Sequence, residues 1–103
     1  MEISKTNHYE RWFRRLKDVN ARARINIALK RCLQAGKVVG DVKPVGGGVM
    51  EMRFTFGPGY RLYYLTKQDK IMLLLLGGEK SSQPRDIKKA KTLAIEIIAE
   101  GKW

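Results

Sequence analysis

The hydrophobic pattern of this chain changes period once, at Gly36, and that change limits the folds open to it. Before Gly36, Tyr9, Trp12, Phe13 and Leu16 fall at i, i+3, i+4 and i+7, and Ile25, Ala28, Leu29 and Cys32 repeat the spacing of one helical face. Thr6 or Asn7 can cap the first helix, and Asp18 or Asn20 can open a second over residues 21–35. Gly36 stands where a helix ends in a left-handed residue. The two helices are expected to pair antiparallel across the turn at Asp18, Val19 and Asn20. After Gly36 the period is two. Met50, Met52, Phe54 and Phe56 alternate with Glu51, Arg53 and Thr55, Gly57-Pro58-Gly59 breaks the run, and residues 60–66 form a second strand.

The remaining elements follow from the same reasoning. The segment VGDVKPVGGG reads as a short edge strand or extended connection closing in a turn at Gly46, Gly47 and Gly48. A glycine-rich loop cradles phosphate when a helix follows it; here a strand follows, so no P-loop is expected. KIMLLLL, after a turn at Gln68 and Asp69, is apolar on both faces, as a central strand requires. A last helix, roughly residues 83–100, places Ile87, Ala90, Leu93, Ala94, Ile97 and Ile98 along one face that should pack on the sheet. The chain has no internal repeat, and its 103 residues suit one domain, residues 1–103.

Charge narrows the function. The net charge is +11, and residues 1–37 carry ten Lys or Arg against three Asp or Glu. Such a field attracts polyanions: nucleic acid, ribosome or an acidic protein. MEISKTNHYERW has no apolar run of the secretory kind and IMLLLL is too short to span a bilayer, so a cytoplasmic protein without membrane association is expected. One cysteine, Cys32, and one histidine, His8, offer neither a disulfide nor a usual metal cluster, and no cofactor is expected. Cys32 reads as a small core residue.

The hairpin GPGYRLYY places Arg61 inside an apolar strand. With a register symmetrical about Pro58, Thr55 faces Arg61 and Arg53 faces Tyr63, so Glu51, Arg53, Thr55, Arg61 and Tyr63 share one face while Met52, Phe54, Phe56, Tyr60, Leu62 and Tyr64 share the buried one. Arg61 is then expected to project from an open face among Arg53, Glu51 and Tyr63. That set suits an RNA phosphate and a stacked base.

The order and spacing of WFRRLKD, ARARI, GDVKPVGGGVMEMRF, GPGYRLYY and LLLLGGEKSSQPRDIKKA resemble the RelE/ParE superfamily of toxins from type II toxin-antitoxin modules, most closely its HigB-like branch, the addiction module killer proteins. The resemblance spans almost the whole chain. It implies an α/β (α+β) fold with two N-terminal helices packed on a twisted, mainly antiparallel sheet and a C-terminal helix. It also implies a ribosome-dependent mRNA endoribonuclease with a cognate antitoxin as partner. By the same resemblance Arg61 of GYRLYY is a phosphate contact, Arg53 is the functional basic residue of the preceding strand, and Lys80 of GGEKSSQ is the basic residue after the last strand. The chain departs from the pattern at Glu51, where a second lysine is common, and at Asp86 and Ile87, where a catalytic tyrosine is expected.

Cleavage by the RNA 2′-hydroxyl requires a base, positive charge for the phosphorane and an acid for the leaving oxygen. Glu51 is the candidate base, Arg53 and Arg61 the phosphate contacts, Lys80 the added charge or acid, and Tyr63 the stacking ring. Arg14, Arg15 and Arg22 on the basic helices would hold RNA phosphates, ribosomal RNA included. His8 stands alone, which rules out a two-histidine site within one chain. The competing classes are a ParE-like inhibitor of DNA gyrase and a non-catalytic RNA-binding module of the same fold.

Overall fold

The computed structural model describes residues 1–103. The order of elements is β1 (Glu2–Lys5), α1 (Asn7–Arg15), α2 (Val19–Ala35), β2 (Val42–Gly46), β3 (Val49–Arg53), β4 (Tyr60–Lys67), β5 (Ile71–Glu79), a 3₁₀ turn at Lys80–Ser82, and α3 (Gln83–Ala99). The five strands form one sheet in the order β1-β5-β4-β3-β2, antiparallel throughout except for the parallel pair β1 and β5. This is the α+β architecture expected from the sequence, with one strand added. β1 escaped the periodic reading because EISK is too short to show an alternation; its place comes from backbone pairing with β5, in register from Glu2 with Ile71 to Lys5 with Leu74. No helix is long and apolar enough to cross a membrane.

The helix boundaries follow local chemistry. The Thr6 hydroxyl accepts the Tyr9 amide at 3.1 Å to start α1, and the Asp18 carboxylate accepts the Ala21 amide at 3.1 Å to start α2. Gly36 ends α2 with φ +72°, a conformation that costs a residue with a Cβ. At the β2–β3 hairpin Gly47 and Gly48 both have positive φ, the backbone that a two-residue turn between twisted strands requires.

Helices cover both faces of the sheet. On one, Tyr9 of α1 and Ala21, Ile25, Leu29 and Cys32 of α2 pack against Met52, Leu62, Tyr64, Met72 and Leu74. On the other, Ala90 and Ala94 of α3 pack against Val49, Tyr63, Leu65, Leu75 and Leu76. Cys32 is the buried core residue expected, its sulfur close to the backbone of Val39. Ile98, assigned to the packed face of α3, is instead 53% exposed, and its neighbour Ile97 is the residue that packs at that end of the helix.

Two details of the sheet correct the expected geometry. Arg53 pairs with Arg61, and Met52 with Leu62, so the β3–β4 register differs by two residues from the symmetrical one. The cause is the loop, where Phe54 donates to Tyr60 O at 3.0 Å and Thr55 joins the turn instead of the strand. A shift of two preserves the faces, since side chains alternate with period two. The second detail is a bulge in β5: Tyr63 pairs with Leu76 but Tyr64 with Leu74, leaving Leu75 as the extra residue. The bulge inverts the phase of β5, so that Leu74 and Gly77 face α1 and α2, whereas Leu75, Leu76 and Gly78 face α3.

That phase change places two glycines where both helical layers press closest. A Cβ on Gly77 would lie 2.1 Å from the Trp12 ring, and one on Gly78 would lie 2.0 Å from the Asp86 carboxylate. Overpacking of this kind costs typically about 1–3 kcal/mol, and an indole ring trapped against a sheet has little room to yield. Gly36 needs only its backbone angle, since nothing lies within 4 Å of the corresponding position. Gly77→Ala is therefore expected to lose at least about 2 kcal/mol and Gly36→Ala about 1 kcal/mol, in urea titrations of the two variants. The reverse order would show that α1 can lift from β5 without loss.

Candidate functional site

The expected open face is closed. α3 lies over it, and Glu51 is 0% exposed, Tyr63 0% and Arg61 8%. The physical reason is the apolar stripe of α3, which buries Ala90 and Ala94 on the same sheet face that carries Glu51 and Tyr63. Arg61 thus sits at the margin of a buried polar cluster. Its Nη1 donates to Tyr60 O at 3.0 Å and to Phe54 O at 3.2 Å, which clamps the base of the hairpin loop. Its Nε lies 3.7 Å from Glu51 Oε1, close enough for strong attraction in a buried setting but too long for a hydrogen bond. The other Glu51 oxygen accepts from Gln83 Nε2 at 2.6 Å, so the first residue of α3 helps hold the carboxylate.

Tyr63 is paired in register with Glu51, and its buried hydroxyl has no partner. Burial, followed by the charges of Glu51 and Asp86, pushes its pKa well above the ordinary tyrosine value, while Arg61 opposes them. Asp86 fills the space over Gly78 and accepts a 2.5 Å hydrogen bond from Ser82, itself the residue before α3. Gln83, Asp86 and Ser82 were missed in the sequence because they occur in a helix start that reads as solvent-facing. Their only signal was the pair Gly77-Gly78, which announces a close approach from each face.

Two further cations, Arg53 and Lys80, gather around the hairpin beside Arg61. Arg53 is the cross-strand neighbour of Arg61. Two guanidiniums opposite one another repel, and each has its own carboxylate: Glu51 for Arg61, and Asp41, 2.8 Å away, for Arg53. The hydrogen bond and charge of Asp41 raise the Arg53 pKa further. Lys80 is exposed, and its amide donates to Gly59 O at 2.8 Å, which docks the start of the 3₁₀ turn on the hairpin loop. A methyl on Gly59 would sit 3.3 Å from Lys80 Cβ and 3.5 Å from Arg61 Nη1, so this glycine is the gap between the two cations.

Of the residues expected from sequence, the structure brings together Arg53, Arg61 and Lys80 at the hairpin and buries Glu51 and Tyr63 behind them. Arg14 and Arg15 lie elsewhere, exposed on α1: Arg14 borders a hollow with Lys5 and Phe13, and Arg15 one with His8, Trp12 and Lys89. Arg22 is half-buried in the first turns of α2. Two arginines of α2 that the sequence reading passed over do reach the hairpin. Arg24 and Arg31 border a hollow of about 380 Å³ with Arg53, Phe54 and Phe56, and Arg24 lies over the Phe56 ring, 4.1 Å from its centre. The seven-residue interval between them, two helical turns, was the available signal.

The fold and its hairpin cations define a small basic α+β protein with both faces of its sheet covered by helices. Residues 11–100 match the family described as phage-derived protein Gp49-like (DUF891), and the chain belongs to that family, which is related to RelE/HigB-like toxins of toxin-antitoxin modules. The chain is also similar to an uncharacterized protein of Haemophilus influenzae, 42% identical over 97 residues that cover 94% of this chain and 96% of the relative.

Two outcomes follow from the sealed cluster. Arg61→Met leaves the Glu51 charge buried with Gln83 alone and should cost about 3–5 kcal/mol in urea unfolding, while adding Glu51→Gln should restore part of it. A cost below about 1 kcal/mol for the single variant would mean that the pair is not buried in solution. Burial also raises the pKa of Tyr9, Tyr63 and Tyr64, the last to about 12. A tyrosine whose folded pKa exceeds its unfolded value of 10.0 contributes stability that is fully present below pH 10 and is lost as pH rises towards the folded value. In a Tyr60→Phe background, tyrosinate absorbance should therefore rise together with loss of structure above about pH 10; tyrosinate appearing in that folded variant near pH 10 would contradict the burial of the other three.

Proposed function

We propose that this protein is a HigB-like toxin of a type II toxin-antitoxin module and acts as a ribosome-dependent mRNA endoribonuclease. The observation that carries this reading is the placement of Arg53, Arg61 and Lys80 around one hairpin loop, three cations from β3, β4 and the turn that follows β5. The family relation to toxins supports it independently. In the reaction the RNA 2′-hydroxyl gives its proton to solvent water, its oxygen attacks the adjacent phosphorus, the P–O5′ bond breaks, and a 2′,3′-cyclic phosphate remains. Arg53 and the exposed margin of Arg61 bind the phosphate and stabilise its growing charge, and Lys80 gives a proton to the departing 5′-oxygen. Tyr63 holds the sheet beneath Arg61, in place of the stacking role expected for it.

Glu51 takes a positioning role instead of that of a base. It is sealed under α3 and fixes Arg61 from behind. With no base of its own at the surface, the site relies on the ribosome to set the RNA geometry, and positioning of this kind supplies much of a barrier reduction. The basic surface, Arg14, Arg15 and Arg22 included, serves ribosomal RNA phosphates, and a cognate antitoxin with an acidic segment complements the +11 charge.

Primer extension on a defined mRNA, with and without translating ribosomes, tests this. Cuts should appear with ribosomes and fall by about 100-fold in Lys80→Ala and in Arg53→Ala, changes expected to alter stability by less than about 0.5 and about 1 kcal/mol, the second through loss of the ion pair with Asp41. Arg61→Ala is a poor control on its own, because it unbalances the buried pair. Absence of cuts in the parent, or cuts at parental rate in both surface variants, would overturn the assignment.

A further inference from the structure

The groove between α2 and the β3–β4 hairpin shares only Arg53 with the chemistry above. It consists of two adjoining hollows of about 380 and 410 Å³ that share Ala28, Arg31, Asp41, Arg53 and Phe54. Three guanidiniums, from Arg24, Arg31 and Arg53, line it against one carboxylate, Asp41. Arg24 and Arg31 stand roughly 10 Å apart along α2, by the rise of two helical turns. Phe54 and Phe56 form part of the wall, with ring centres 5.5 Å apart, and Arg24 already rests on Phe56. One end of the groove adjoins Arg61, since Arg61 Nη1 binds the carbonyl of Phe54.

We propose that this groove is a track for single-stranded RNA beside the hairpin cations, with Asp41 as a built-in competitor for phosphate. The inference rests on the RNA-directed reading given above. Arginine forks match phosphate oxygens, and an arginine held on an aromatic ring offers its outer side to an unstacked base. An acidic peptide would use the same charges but would have no need of the rings. Asp41 holds Arg53 twice, by its side chain at 2.8 Å and by its carbonyl, which accepts the Arg53 amide at 2.8 Å. Its carboxylate, half exposed, occupies the position on Arg53 that a phosphate would take. RNA entering the groove displaces the side-chain contact and leaves the backbone one in place. Asp41 thereby weakens binding to any stray RNA and yields only to a strand that also engages Arg24 and Arg31.

Fluorescence anisotropy with a short labelled 2′-O-methyl RNA, which lacks the free 2′-hydroxyl and is not cut by that route, reads binding apart from cleavage. Arg24→Ala with Arg31→Ala should weaken binding at least about tenfold and flatten the slope of log affinity against log salt by about 1.4, at 0.7 per phosphate on a single strand. Phe56→Leu should weaken it roughly fivefold, whereas Phe56→Tyr, which keeps the ring, should retain it. Asp41→Asn should tighten it about two- to fivefold, the range of an exposed ion pair. An unchanged salt slope in the double arginine variant overturns the proposal. So does a polyglutamate peptide that competes through Arg24 and Arg31 while RNA binding ignores Phe56; the groove is then an acidic-protein surface. Ribosome-dependent cleavage with no groove dependence of binding removes the track and leaves the nuclease reading, and groove-dependent binding without cleavage does the reverse.

Discussion

At Gly77 and Gly78 the sheet is reduced to its backbone, and the arrangement of both helical layers depends on that thinness. The Trp12 ring occupies the space over one glycine and the Asp86 carboxylate the space over the other. Any side chain at either place would push a helix outward. The bulge at Leu75 is what aims the two glycines in these directions, because it reverses which residues of β5 face which layer. With α3 seated this closely, the sheet face beneath it becomes dry, and the environment of Glu51, Arg61 and Tyr63 follows from that.

Drying this face makes its charges interdependent. A carboxylate without exposed surface requires a counter-charge and donors, and Glu51 finds them in Arg61 and Gln83. Arg61 in turn ties two loop carbonyls, so the shape of the hairpin that presents Arg53 and Lys80 is set from within. The proposed functional surface is thus the outer side of a buried network. Replacement of an inner member alters fold and site together, whereas Arg53, Lys80, Arg24 and Arg31 can be altered at the surface.

The sequence made most elements legible and concealed their stacking. Period and caps located α1, α2 and α3 to within a residue or two, because Thr6, Asp18 and Gly36 act locally. The division of β3 and β4 into two faces survived an error of register, since parity is preserved over a slip of two. What remained hidden was non-local. Nothing in EISK reveals a parallel partner 69 residues away, and nothing in the alternation of Glu51 and Arg53 tells that a helix covers the first and not the second. The hairpin cations were readable as a set; the contribution of α2 to their groove came from packing.

The pairing of β1 with β5 also sets an order in time. Glu2 to Lys5, made well before their partners, stay unpaired until residues 71–74 exist, and the Thr6 hydroxyl waits likewise for the Leu75 carbonyl. Contacts so distant along the chain close late, after the local helices and hairpins have formed. During synthesis α1 and α2 therefore emerge with their apolar faces uncovered, and Lys80 joins the hairpin only when most of the chain has been made. A copy translated only as far as Phe56 holds every residue of the groove wall but lacks Arg61 and Lys80, so the cation cluster is completed late.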